Sequence, residues 1–145
     1  MAITVIAVGK LKERFWKDAV DEYLKRLGGY AKVRIVEIPD KGIEFESAEI
    51  VRAAGSSHLV LLAIDGKQRS SEGIARRIDE LMTRGTSDIA FCIGGSDGVS
   101  RAVYDRADET LSFGPVTLPH NLARVVLMEQ VYRAFKIIRG EPYHK

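Results

Sequence analysis

Three short runs of almost purely apolar, β-branched-rich residues punctuate this chain: Ile3–Val8 (ITVIAV), Leu59–Ile64 (LVLLAI) and Ile89–Ile93 (IAFCI). Runs of that length with no polar face suit strands covered on both sides, the condition met in a parallel sheet. A further run, Val33–Ile38, alternates Val33 and Ile35 with Arg34 and stops at Pro39. Between these runs the apolar spacing changes to that of a helix. Glu13–Leu27 carries Phe15, Trp16, Ala19, Val20, Tyr23, Leu24 and Leu27 on one stripe and ends at Gly28-Gly29. Ile43–Ala54 has weaker helical spacing. Ser70-Ser71-Glu72 offers an N-cap to a helix through Met82. A short helix over Ser100–Ala107, a fifth strand at Thr110–Phe113 and a long helix from His120 to Ile138 complete the pattern. Strand and helix alternate without repeat or linker. The expected fold is therefore α/β: a single compact domain over residues 1–145, a parallel-type sheet with helices on both faces.

At 145 residues such a domain needs no disulfide or metal staple. One cysteine, Cys92, excludes an intrachain disulfide, and three scattered histidines argue against a dedicated metal site. Cys92 lies within an apolar run and is expected to be buried and inert. No apolar run approaches the roughly 20 residues of a membrane span, and charged residues follow Val8 too soon for a signal peptide. The expected setting is cytoplasmic.

The net charge of +2 conceals a segregation. Residues 1–34 carry eight Lys/Arg and four Asp/Glu, residues 35–110 nine and fourteen, and residues 111–145 five and two. If the two ends meet in space, one face is basic and suits a polyanion such as nucleic acid; unevenly charged solvated helix faces account for the same sums.

In parallel α/β sheets ligands bind beyond the carboxyl ends of the strands. Two segments stand there. Gly94-Gly95-Ser96-Asp97-Gly98 follows the fourth strand, where glycines permit positive φ and close approach of a ligand to the backbone. It lacks the Gly-Lys-Ser/Thr of a phosphate loop, and a plain tight turn would use the same residues. Leu111–His120 (LSFGPVTLPH) combines two prolines and a glycine in a rigid loop whose backbone can meet an adenine edge, with Val116 and Leu118 as an apolar wall. A crossover loop with Pro119 starting the last helix reads equally well. His120 suits a cap of that helix better than a cofactor contact. The last helix has an apolar surface wider than one core stripe, which points to a second partner, most simply another copy of the chain. Arg133, Lys136 and Arg139 crowd its C-terminal end, where cations suit the helix dipole. The tail Glu141–Lys145 bears Tyr143 and His144, residues that exchange protons or stack on bases. No Ser-His-Asp or Cys-His pairing is legible.

Specific strings carry a resemblance. "VIAVGKLKE" at Val5–Glu13, "DGKQRSSE" at Asp65–Glu72, "FCIGGSDG" at Phe91–Gly98, "TLPH" at Thr117–His120, "RVVLMEQVYRAFKI" at Arg124–Ile137 and "EPYHK" at Glu141–Lys145 resemble the ribosomal RNA large subunit methyltransferase H family of the SPOUT superfamily. The resemblance covers the whole chain, with a segment between Pro39 and His58 shorter than in the family. It implies a C-terminal trefoil knot, which no pattern argument proposes because knots are rare. It implies S-adenosyl-L-methionine as cofactor, with contacts at Leu62, Gly94, Phe113, Gly114, Pro115, Val116, Thr117 and Leu118, and no metal. It implies a homodimer through the C-terminal helix and methylation of N3 of a pseudouridine in 23S large-subunit ribosomal RNA. The assembled ribosome would be the substrate, since so small a chain has no separate RNA-reading domain. By resemblance Arg133, Tyr143 and His144 form the catalytic, substrate-side set, with His144 or Arg133 easing proton loss and Tyr143 holding the base. A ribosome-binding module that keeps the pocket without turnover is the alternative. A flavodoxin-like phosphoacceptor would need an acidic cluster after the first strand, and Gly9-Lys10-Leu11 supplies none.

Overall fold

The computed structural model describes residues 1–144. Five strands, β1 (Ala2–Val8), β2 (Lys32–Ile38), β3 (His58–Leu62), β4 (Asp88–Ile93) and β5 (Glu109–Leu111), form one sheet in the order β2-β1-β4-β3-β5. Every pairing is parallel. Helices α1 (Arg14–Leu27), α2 (Ile43–Ala54), α3 (Ser71–Thr83), α4 (Arg101–Arg106) and α5 (His120–Ile138) connect and cover the strands.

The period-2 alternation of the strands sorts their side chains into two cores. Ile3, Val5 and Ala7 of β1, with Ile89, Phe91 and Ile93 of β4, face a cluster closed by Leu27 of α1, Ile74 and Ile78 of α3, and Leu127 and Met128 of α5. Ile6 and Val8, with Ala90 and Cys92, face the opposite cluster, closed by Ile50 and Ala54 of α2 and Val103 of α4. Each fully buried aliphatic side chain contributes about 1.5–3 kcal/mol. That is why both faces of the central strands had to be apolar. Ser70 caps α3, its Oγ accepting from the Gly73 amide at 3.0 Å. Cys92 has no exposed surface, and burial pushes its thiol up to about 12.

α1 packs against α5, so the basic N-terminal and C-terminal segments of the chain do meet in space. They are tied at the strand ends by Arg124 of α5, which is buried and donates to Glu37 Oε2 at 2.7 Å and to the Gly9 carbonyl at 3.2 Å. Its Nε is the one buried side-chain nitrogen or oxygen without a partner among the described residues.

β3 and β5 each end two residues before the apolar runs do. The chain after β3 clasps the end of β5. Ala63 donates its amide to the Leu111 carbonyl at 2.9 Å, Ser112 donates its amide to the Lys67 carbonyl at 2.9 Å, and Ser112 Oγ donates to the Ile64 carbonyl at 2.8 Å. Leu111 and Ser112 are thus held by both limbs of one loop.

Candidate active site

Beyond the carboxyl ends of β3, β4 and β5 lies a largely apolar cavity of about 770 Å³, within the usual size of a small-ligand site. Leu62 at the end of β3, Gly94 after β4, and Phe113, Gly114, Val116, Thr117 and Leu118 after β5 all line it. Pro115 does not. His120 lines it as well and caps nothing: Pro119 holds the N-cap position of α5 without a side-chain bond. The sequence expectation of a capping His120 is corrected on this point. With Pro119 at the boundary, the imidazole is left beside the cavity. Tyr104 and Ile64 stand at the rim, 42% and 55% exposed.

The glycine loop works by close approach more than by unusual φ. Only Gly98 in it has positive φ, at 83°. A Cβ on Gly94 would lie 2.8 Å from Val99 Cγ1, and one on Gly95 would lie 3.2 Å from both Glu46 Oε1 and Val8 Cγ1. Side chains of α2 hold this loop from behind. Ser47 Oγ accepts from the Ser100 amide at 2.9 Å, and the buried Glu46 accepts from the Gly42 amide at 2.8 Å. No motif flagged Glu46 or Ser47, because a polar residue on a weakly amphipathic helix looks solvated until its partner is seen. In the second loop, Gly114 takes φ 107°, a conformation that favours glycine. Its amide donates to Ser112 Oγ at 3.0 Å. Among the described residues, the amides of Val116, Thr117 and Leu118 have no hydrogen-bond partner within the chain, so their donors are available to a ligand.

Arg133, Tyr143 and His144 lie together at the other end of α5. The Arg133 guanidinium carbon lies 4.7 Å from the centre of the Tyr143 ring, and Arg133 Nη1 donates to His144 Nδ1 at 3.0 Å. Since arginine only donates, the ring proton of a neutral His144 sits on Nε2 and faces Glu72 of α3, with which it pairs closely. Glu129, which no motif singled out, is the hub. It accepts from Arg133 Nη2, the Tyr143 hydroxyl and the Gln130 amide, each at 2.8 Å. Partial burial works against ionising Glu129, but the bonds from Arg133 and Tyr143 outweigh it and hold the carboxyl below its ordinary range. Burial, and then the Glu129 carboxylate, push the Tyr143 phenol upward. Its hydrogen bond to Glu129 raises Arg133 in turn. At neutral pH the cluster is a carboxylate, a guanidinium and a neutral phenol.

This cluster and the cavity do not touch within one chain. Ala123 lines the cavity and Arg133 is ten residues farther along α5, about 15 Å at 1.5 Å per residue. Among the described residues no group of three or more His, Cys, Asp or Glu could hold a metal ion. Among the described residues no helix is long and apolar enough to cross a membrane.

The chain is similar to known proteins in sequence and in fold. A family model described as a predicted SPOUT methyltransferase matches residues 1–144. A ribosomal RNA large subunit methyltransferase H from Listeria monocytogenes is 50% identical over 159 aligned positions, covering 100% of both chains, and one from Bacillus thuringiensis is 49% identical with the same coverage. The chain belongs to the ribosomal RNA large subunit methyltransferase H family, within the SPOUT methyltransferases. Both alignments are longer than its 145 residues, so the chain is shorter than these family members. Solved structures share the fold at lower identity. A tRNA (m1G37) methyltransferase from Aquifex aeolicus superposes with a TM-score of 0.57 at 15% identity, covering 100% of this chain and 75% of that one. The SpoU methyltransferase AviRb from Streptomyces viridochromogenes, solved with AdoMet, superposes with a TM-score of 0.51 at 17% identity, covering 95% and 58%.

Proposed function

We propose that this protein uses S-adenosyl-L-methionine to methylate N3 of a pseudouridine in 23S large-subunit ribosomal RNA, on the assembled ribosome in the cytoplasm. The observation that carries the reading is the cavity at the strand ends. Its apolar walls suit an adenosyl group, and the free amides of Val116–Leu118 suit an adenine edge. Leu62, Gly94, Phe113, Gly114, Val116, Thr117 and Leu118 would hold the cofactor, and Pro115 would stiffen the loop from outside the cavity. The clasp of Ala63–Lys67 around Leu111-Ser112 supports the knotted threading that the resemblance implies.

When bound, the cofactor supplies an electrophilic methyl group on a sulfonium. The chain's own residues must then align the imide nitrogen and accept its proton. Arg133, kept charged by Glu129, stabilises the imide anion as N3 loses its proton. Tyr143, kept neutral, presents ring and hydroxyl to the base. His144 Nδ1 takes the proton from N3 once the substrate displaces its bond to Arg133.

The separation along α5 supports a homodimer through that helix, with the tail of one subunit serving the cavity of the other. Exposed Ile64 and Val116, 55% and 68% accessible, mark apolar surface near the cavity that a second subunit would cover.

Ribosomes from a strain lacking the gene, incubated with pure protein and tritiated S-adenosyl-L-methionine, test the reading. Label mapped by mass spectrometry to N3 of one large-subunit pseudouridine is expected. Cofactor binding without label on any ribosomal RNA would replace the enzyme with a binding module.

A further inference from the structure

β1 ends at Val8, and the segment from Gly9 into α1 carries an unusual surface. Lys10, Lys12, Arg14 and Lys17 are all exposed, and among the described residues none has an acidic partner within 4.0 Å. Glu13 is the one acid between Lys10 and Lys17. Leu11 is buried, so its anchoring leaves Lys10 and Lys12 projecting on either side. In the first turn of α1 stands Phe15, 63% exposed, with its ring centre 4.9 Å from that of Trp16 at 52°. An aromatic ring supported by a second ring and surrounded by unpaired cations is ill suited to water alone and well suited to an unstacked base flanked by phosphates.

The segment starts beside the cavity. Its root, Gly9, accepts from Arg124, whose neighbour Ala123 lines the cavity, and Val8 abuts Gly95, which lines it too. We propose that Lys10–Lys17 is the RNA-docking surface: Lys10, Lys12, Arg14 and Lys17 engage phosphates, and Phe15 stacks an unpaired base. This rests on the reading of the substrate as ribosomal RNA.

The test measures binding of the full-length protein to large ribosomal subunits as a function of salt, apart from methyl transfer. The triple variant Lys10→Gln, Lys12→Gln, Lys17→Gln is expected to weaken binding at least about tenfold. Its log–log salt dependence should be shallower by about two, since each lost single-strand phosphate contact removes roughly 0.7 from the slope. Phe15→Leu should weaken binding about tenfold with the slope unchanged, and Phe15→Tyr should restore it. Cofactor affinity and melting temperature should match the unaltered protein in all three. Variants that bind subunits as tightly as the unaltered protein overturn the proposal. So does a loss of binding that tracks a change of oligomeric state in sedimentation, which would make this face an interface between copies. Methyl transfer on the same particles is scored separately. Its absence alongside binding that depends on these residues would remove the enzymatic reading and leave the docking surface standing.

Discussion

The Tyr143 hydroxyl donates to Glu129 Oε2 across 2.8 Å, pinning the tail to a helix position 14 residues earlier. The same oxygen receives Arg133 Nη2 at 2.8 Å, so one carboxylate sets both the phenol and the guanidinium. Glu129 touches neither cavity nor substrate in this reading and acts as a positioning residue. Glu129→Gln keeps an acceptor for Tyr143 but discharges the site facing Arg133. Charge-assisted hydrogen bonds of this kind are worth about 1.5–3 kcal/mol, so methyl transfer to ribosomes should fall roughly 10- to 100-fold. Cofactor affinity measured by calorimetry should not change. Equal losses of transfer and cofactor binding would mean that the variant damages the fold instead.

The same pair sets a pH window for tail docking. Glu129 lies below its ordinary 4.5, so its contribution is complete above that value and is lost as pH falls through the lowered one. Tyr143 lies above its ordinary 10.0, so its contribution is complete below that value and is lost as pH rises through the raised one. Hydrogen-exchange protection factors at Glu141–His144, which remove the intrinsic pH dependence of exchange, should therefore fall as pH drops below about 4.5 and again as it rises above about 10. An inflection near neutrality that disappears in Tyr143→Phe would contradict the assignment.

The layer plan was legible because parallel strands buried on both faces leave an unmistakable mark. LVLLAI and IAFCI admit little else, and the helix from Ser70 announced its own cap. Two parts of the site were not legible. The distance between the cavity and Arg133 follows from the length of α5, and a linear string of motifs hides it. Glu46, Ser47 and Glu129 escaped because a carboxylate or hydroxyl on a helix looks like solvated surface until a distant backbone or side chain claims it. His120 misled for a related reason: the cap was expected at His120, but Pro119 holds that position, one residue earlier, and leaves the imidazole beside the cavity.

Gly94 tests whether the loop behind the cavity must stay close. The Cβ of Gly94→Ala would lie 2.8 Å from Val99 Cγ1, a separation that forces movement. Val99 is β-branched and stiff at χ1, so the loop gives way more readily than the side chain. Titration calorimetry should show S-adenosyl-L-methionine binding about tenfold weaker in Gly94→Ala. Adding Val99→Ala, which removes the obstructing methyl, should recover most of that loss. A Gly94→Ala protein that binds the cofactor normally would show that this wall is not part of its site.

Gly66 tests the clasp itself. A Cβ there would lie 3.0 Å from the Leu111 carbonyl carbon, 3.1 Å from the Leu111 nitrogen and 3.0 Å from the Ala63 carbonyl oxygen. All three are backbone atoms, two belong to a strand, and none can swing aside as a side-chain tip does. Gly66 has no positive φ, so any effect of alanine comes from crowding alone. Overpacking of this kind costs about 1–3 kcal/mol, which for a domain of this size lowers the melting temperature by roughly 3–10 °C. The neighbouring bonds from Ala63 to Leu111 and from Ser112 to Lys67 should loosen together, since all three contacts close the same loop on the same two residues. Amide exchange at Ala63 and Ser112 should accelerate in Gly66→Ala while exchange in β1 and β4 stays slow. Uniform acceleration across the sheet, or none at Ser112, would mean that the loop is not what holds the end of β5.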